Sequence, residues 1–134
     1  RFRAAASGVV IRATPGDPAW VADLDGERLT RLVEAGLAEA VTASPRGGLV
    51  RLTVETDGAS HLRVSIEDAG RRARQRRLSD FAAAQFDDAP GGMTGDRADL
   101  RGKGGDLSLS GSDLGGCRLD LRLPRAPDRA PAIA

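Results

Sequence analysis

LTRLVEAGLAEAVTASPRGGLVRLTVETDGASHLRVSI, residues 29 to 66, carries both periodicities that a mixed fold needs. Leu29, Leu32, Val33, Gly36, Leu37, Ala40 and Val41 recur at the spacing of one helix face, which predicts an amphipathic helix with a dry side. Pro45 cannot continue a helix, and Gly47-Gly48 supply the freedom to reverse the chain, so the helix ends at a Pro-Arg-Gly-Gly turn. Beyond it Val50, Leu52 and Val54 alternate with Arg51, Thr53 and Glu55. After Asp57-Gly58, Leu62, Val64 and Ile66 alternate with Arg63, Ser65 and Glu67. Two strands of period two around an Asp-Gly turn predict an antiparallel hairpin with one apolar face.

Toward the amino terminus, Val9-Val10-Ile11 reads as a short strand and Thr14-Pro15-Gly16-Asp17-Pro18 as a turn. Trp20 and Val21 then lead to Asp25, whose carboxylate is placed to cap the helix. Toward the carboxyl terminus, Arg71-Arg72-Ala73-Arg74-Gln75-Arg76-Arg77 is a basic run, Leu78 to Phe86 can form a short helix, and Asp87 to Gly105 is rich in Gly and Asp. Residues 71 to 105 are therefore expected to be largely irregular. Leu107 and Leu109, a turn from Gly111 to Gly116, and Cys117, Leu119, Leu121 and Leu123 alternating with Arg118, Asp120 and Arg122 predict a second hairpin. Pro124 ends it, and Pro127 and Pro131 mark residues 125 to 134 as a flexible tail.

One apolar helix face and two hairpins dry on one side are buried most economically in an α/β (α+β) two-layer sandwich. Its mixed, mostly antiparallel sheet has helices on one face and a polar face carrying Arg51, Arg63, Arg118 and Arg122 on the other. A chain of 134 residues has room for one such domain, expected over residues 1 to 124.

Composition narrows the function by exclusion. A net charge of +1 gives no field to gather nucleic acid or a membrane surface, although all but Lys103 of the 20 basic residues are Arg. One Cys and one His, Cys117 and His61, make neither a disulfide nor a protein-only zinc site. With no apolar run long enough to span a bilayer and no signal-peptide pattern, the chain reads as cytoplasmic or as the soluble piece of a larger protein. The basic run reads foremost as a solvated face, with binding of a triphosphate or of an acidic partner as the sharper alternative. His61 reads as an ordinary surface residue.

The segment Asp23 to Gly48 resembles the N box of sensor histidine kinases, where an Asp followed by Arg-Leu opens a helix that ends in a Thr-Pro-x-Gly-Gly turn. Glu67-Asp68-Ala69-Gly70 stands where that family has Asp-x-Gly-x-Gly, and Gly104 to Pro124 is similar to its closing hairpin and terminal Leu-Pro. Over about residues 8 to 124 the resemblance implies the Bergerat (GHKL) ATP-binding fold of histidine kinases, gyrase, Hsp90 and MutL. It implies ATP with Mg²⁺ as cofactor.

Carried over residue by residue, the resemblance makes Asp68 the acceptor for the adenine amino group and Gly70 the glycine that lets the base approach. Gly91 and Gly92 belong to the phosphate-cradling box, and Cys117 takes the place of a Thr near the adenine. The two Asn of the family's helix, which face phosphate and metal, are replaced by Ala35 and Glu39. Glu39 can in principle ligate Mg²⁺, but it also repels a triphosphate. Arg72 replaces the second glycine of the adenine box.

The resemblance therefore implies the ATP-binding domain of a two-component sensor histidine kinase, degenerate, with weak or absent kinase activity. The alternative is a non-enzymatic pseudokinase, or the domain of a histidine phosphotransfer protein that docks a response regulator. An anti-sigma-factor kinase fits less well, because that group keeps an Asn in the helix. Either main reading implies as partner a response regulator or a dimerisation segment carrying the phosphoacceptor histidine.

Overall fold

The computed structural model describes residues 10–14, 26–84, 97 and 100–124. Strand β1 (Val10–Thr14) is followed by helix α1 (Gly26–Ala43), the hairpin β2 (Leu49–Asp57) and β3 (His61–Glu67), helix α2 (Arg74–Ala84) and the hairpin β4 (Asp106–Gly111) and β5 (Cys117–Pro124). One five-stranded sheet forms in the order β1-β2-β3-β5-β4. β1 runs parallel to β2 and every other pairing is antiparallel, so the sheet is mixed and mostly antiparallel.

The helical stripe and the strand alternation meet in a single core. Leu37, Ala40 and Val41 of α1 pack on Val50, Val64, Ile66, Leu119, Leu121 and Leu123 of the sheet, with Leu100 and Leu107 closing one end and Phe81 of α2 half-buried against them. Burying a leucine such as Leu121 contributes about 1.5–3 kcal/mol over leaving it in water. Gly36 lets α1 approach the sheet side chains closely: a Cβ there would lie 2.8 Å from Ile66 Cδ1 and 3.0 Å from Leu119 Cδ2. The turn after α1 forms as its residues demand, with Gly47 at φ +81 and the Gly48 N–H donating to Pro45 O at 2.8 Å.

The opposite face of the sheet is a lattice of charge pairs. Arg51 pairs with Glu67 and Asp113, Arg63 with Glu55, Arg118 with Asp120, and Arg122 with Asp57. Both layers of the expected sandwich are thus present, helices on one side and solvated arginines on the other.

One expectation is corrected. The segment from 71 to 105 is not largely irregular at its start, because α2 begins at Arg74 and takes in most of the basic run. From Arg71 to Ala84 there is neither Gly nor Pro, and Arg, Gln, Leu and Ala all favour helix. Asp25, Trp20, Phe86, Gly91, Gly92 and residues 125 to 134 lie outside the described residues.

Candidate functional site

At the end of β3 the chain leaves the sheet through Asp68-Ala69-Gly70, and this exit is pinned on both sides. The Asp68 N–H donates to Cys117 O and the Gly116 N–H donates to Asp68 O, both at 3.0 Å, which extends the β3–β5 ladder one step beyond the strands. The Ala69 N–H donates to Ser44 Oγ at 3.3 Å, tying the exit to the end of α1. Two glycines are required by this packing. A Cβ on Gly70 would lie 2.7 Å from Ala43 O, and one on Gly116 would overlap Asp68 Oδ1 and the Gly70 nitrogen.

The backbone so fixed buries the Asp68 carboxylate, which is 1% exposed. Oδ1 accepts from the Gly70 N–H at 2.9 Å and the Cys117 N–H at 3.1 Å. The remaining donors come from Arg77 on α2: Nη1 donates to Oδ1 at 3.0 Å and Nη2 reaches Oδ2 at 2.9 Å. This bidentate, largely desolvated pair is among the strongest side-chain contacts available to a protein. Burial alone would lower the Arg77 pKa, but the hydrogen bond and charge of Asp68 outweigh it and hold it above its ordinary value. Arg77 Nε also reaches Glu39 Oε1 of α1 at 3.4 Å, so one guanidinium spans a buried acid and an exposed one.

The other site residues named from the sequence fall as follows. Cys117 lies beside Asp68, fully buried, with Sγ 3.8 Å from Arg74 O; burial pushes its thiol pKa up. Glu39 stands at the rim, on the same helix as the exposed Ala35. The structure therefore brings Asp68, Gly70, Cys117 and Glu39 together.

The sequence reading missed Arg77, which it placed in a solvated charge run. The available signal was the helical spacing of Arg74, Arg77 and Phe81, which shares one face with the core once the helix is started at Arg74. Arg71 and Arg74 lie over the β4–β5 turn, against Gly115 and Gly111. The basic run is thus divided between an inward-facing and an outward-facing set.

Ala35 has no side-chain oxygen to offer a cation, and Glu39 Oε1 lies 3.4 Å from Arg77 Nε. Among the described residues no group of three or more His, Cys, Asp or Glu is placed to hold a metal. Asp68 is a buried acceptor held by two backbone N–H groups, and its remaining contacts go to Arg77.

Solved structures share this architecture. The ATP-binding domain of PrrB from Mycobacterium tuberculosis is 25% identical over 90% of this chain and 82% of its own, with a TM-score of 0.63. The mycobacterial sensor histidine kinase MprB is 22% identical over 93% and 89%, with a TM-score of 0.66. Full-length ShkA, solved with AMPPNP, is 23% identical over 96% of this chain and 28% of its own, with a TM-score of 0.67. No protein-family model matches the sequence, and no curated protein matches it significantly. The chain has the fold of the ATP-binding catalytic domains of sensor histidine kinases. Among the described residues no helix is long and apolar enough to cross a membrane.

Proposed function

We propose that this chain is a histidine-kinase-type ATP-binding domain whose nucleotide site is degenerate, with weak or absent phosphoryl transfer. The observation that carries the reading is the inner helix of the site: α1 offers Ala35, with no side-chain donor for phosphate or metal, and Glu39, an acid that repels a triphosphate and is paired with Arg77. Phosphoryl transfer depends on positioning and on charge neutralisation by the metal, and these are the contributions that such a helix lacks. No catalytic step through Mg²⁺ follows from these residues.

The intact features are those of a scaffold: the β3 exit, the buried Asp68 and the two hairpins. They support a role in two-component signalling as a folded platform that docks a response regulator, or the segment carrying a phosphoacceptor histidine, on the same or another chain. A working kinase domain remains the competing reading, favoured by the retained Asp68.

Calorimetric titration with ATP, with and without Mg²⁺, tests the proposal. A degenerate site gives weak binding that Mg²⁺ does not strengthen. Micromolar, Mg²⁺-dependent binding that Asp68→Ala abolishes, together with phosphoryl transfer to a histidine-containing segment, would overturn it.

A further inference from the structure

The contact between Arg77 and Asp68 has a chemistry of its own. Oδ1 of Asp68 already takes two backbone donors, and the only donor on Oδ2 among the described residues is Arg77 Nη2. An adenine amino group would present one N–H to this carboxylate. The guanidinium presents two, adds a full positive charge, and is tethered at permanently high local concentration by α2. Exchange of Arg77 for a neutral amino group is uphill at the carboxylate.

We propose that Arg77 is the specificity-determining residue of this site: it acts as a built-in surrogate for the adenine amino group and keeps purines off Asp68 until it is displaced. The inference rests on the reading of Asp68 as the adenine-recognising carboxylate. Two structural features make displacement possible without unfolding. Arg77 is a long side chain on the near face of a surface helix, 12% exposed, so a rotamer change carries its head outward. Glu39, 42% exposed and already 3.4 Å from Nε, receives the guanidinium at the rim. Glu39 thereby serves as the resting place of the displaced arginine.

The alternative role for Arg77 is structural: it neutralises a carboxylate that the β3 exit has buried and does nothing to ligand choice. The two roles separate in a binding experiment on the 134-residue chain. ADP without metal is titrated into the wild type, Arg77→Ala, Arg77→Met, Arg77→Lys and the double variant Asp68→Asn/Arg77→Ala, with a thermal melt on each to establish folding. The surrogate role gives weak binding by the wild type and at least tenfold tighter binding by Arg77→Ala. Arg77→Met, which keeps the side-chain volume and so protects the fold, gains as much. Arg77→Lys, which keeps a single point contact on Asp68, gains less, and the double variant loses the gain.

A folded Arg77→Ala or Arg77→Met that binds ADP no more tightly than the wild type overturns the proposal. If the wild type is then itself a tight, Asp68-dependent binder, the reading of Asp68 as the adenine-recognising carboxylate survives, while the surrogate role falls and so does the weak binding expected of a degenerate site. If no variant binds at millimolar ADP, both fall together.

Discussion

Arg51 stands directly opposite Glu67 in the β2–β3 register and grips both of its carboxylate oxygens, Nε on Oε2 and Nη2 on Oε1, each at 3.0 Å. Ser112 donates to the same Oε1 at 2.9 Å from the β4–β5 turn, so a buried acid links two strands and a turn on the polar face of the sheet. Burial by itself would raise the Glu67 pKa, and the hydrogen bonds from Arg51 and Ser112 outweigh it, leaving the carboxyl below its ordinary value.

A depressed carboxyl stabilises the fold above its unfolded pKa of about 4.3, and that contribution is lost as pH falls through the folded value. Glu67→Gln should cost about 1–2 kcal/mol at pH 7, discounted for the partly exposed Arg51, and should flatten the loss of stability below about pH 4.5. Urea melts at pH 7 and pH 3.5 give both quantities. An unchanged difference between the two pH values would show that Glu67 is not the group responsible.

Gly116→Ala places a methyl group on Asp68 Oδ1 and the Gly70 nitrogen, neither of which can retreat without breaking the β3 exit. The expected loss is about 1–3 kcal/mol or more. Gly102→Ala is the control: nothing lies within 4 Å of the added carbon, so stability should move by no more than about 0.5 kcal/mol.

Leu121 is fully buried between β3 and β4 and belongs to the core shared by α1 and the sheet. Leu121→Ala should cost about 2–5 kcal/mol, measured by chemical denaturation, because the transfer energy of the lost atoms adds to that of the cavity.

The Cys117 thiol is sealed from solvent and its pKa is raised by burial, so little thiolate is present and none is accessible. Alkylation of the folded protein at pH 8 should be at least about a hundredfold slower than in 6 M guanidinium, read by mass. Reaction at the unfolded rate would mean that the β5 end opens freely.

The architecture was legible because its two periodicities do not overlap: the α1 stripe ends at Pro45 and the β2–β3 alternation starts at Val50. Both hairpin registers follow from turns whose residues allow little else, Gly58 at φ +71 and Gly115 at φ +111. The site was less legible. Asp68 could be named through the resemblance of Glu67-Asp68-Ala69-Gly70 to a family motif, but Gly70 has a second duty, admitting Ala43, that no linear reading reveals.

Arg77 escaped for a physical reason: in a run of arginines, composition cannot tell which one points inward. That depends on where the helix begins and on a carboxylate waiting nine residues back in the chain. The identity of the site was written locally, and its occupant was decided by tertiary packing.

The strand order has a consequence in time. β5 lies between β3 and β4, so the inner edge of β3 stays unpaired until a strand about 50 residues further along has been made. At roughly 5–20 residues per second of synthesis, Leu62, Val64 and Ile66 wait several seconds beside an open row of backbone donors and acceptors. During that interval the nascent chain is a template for any other extended segment, and its yield in the cell will depend on what shields that edge.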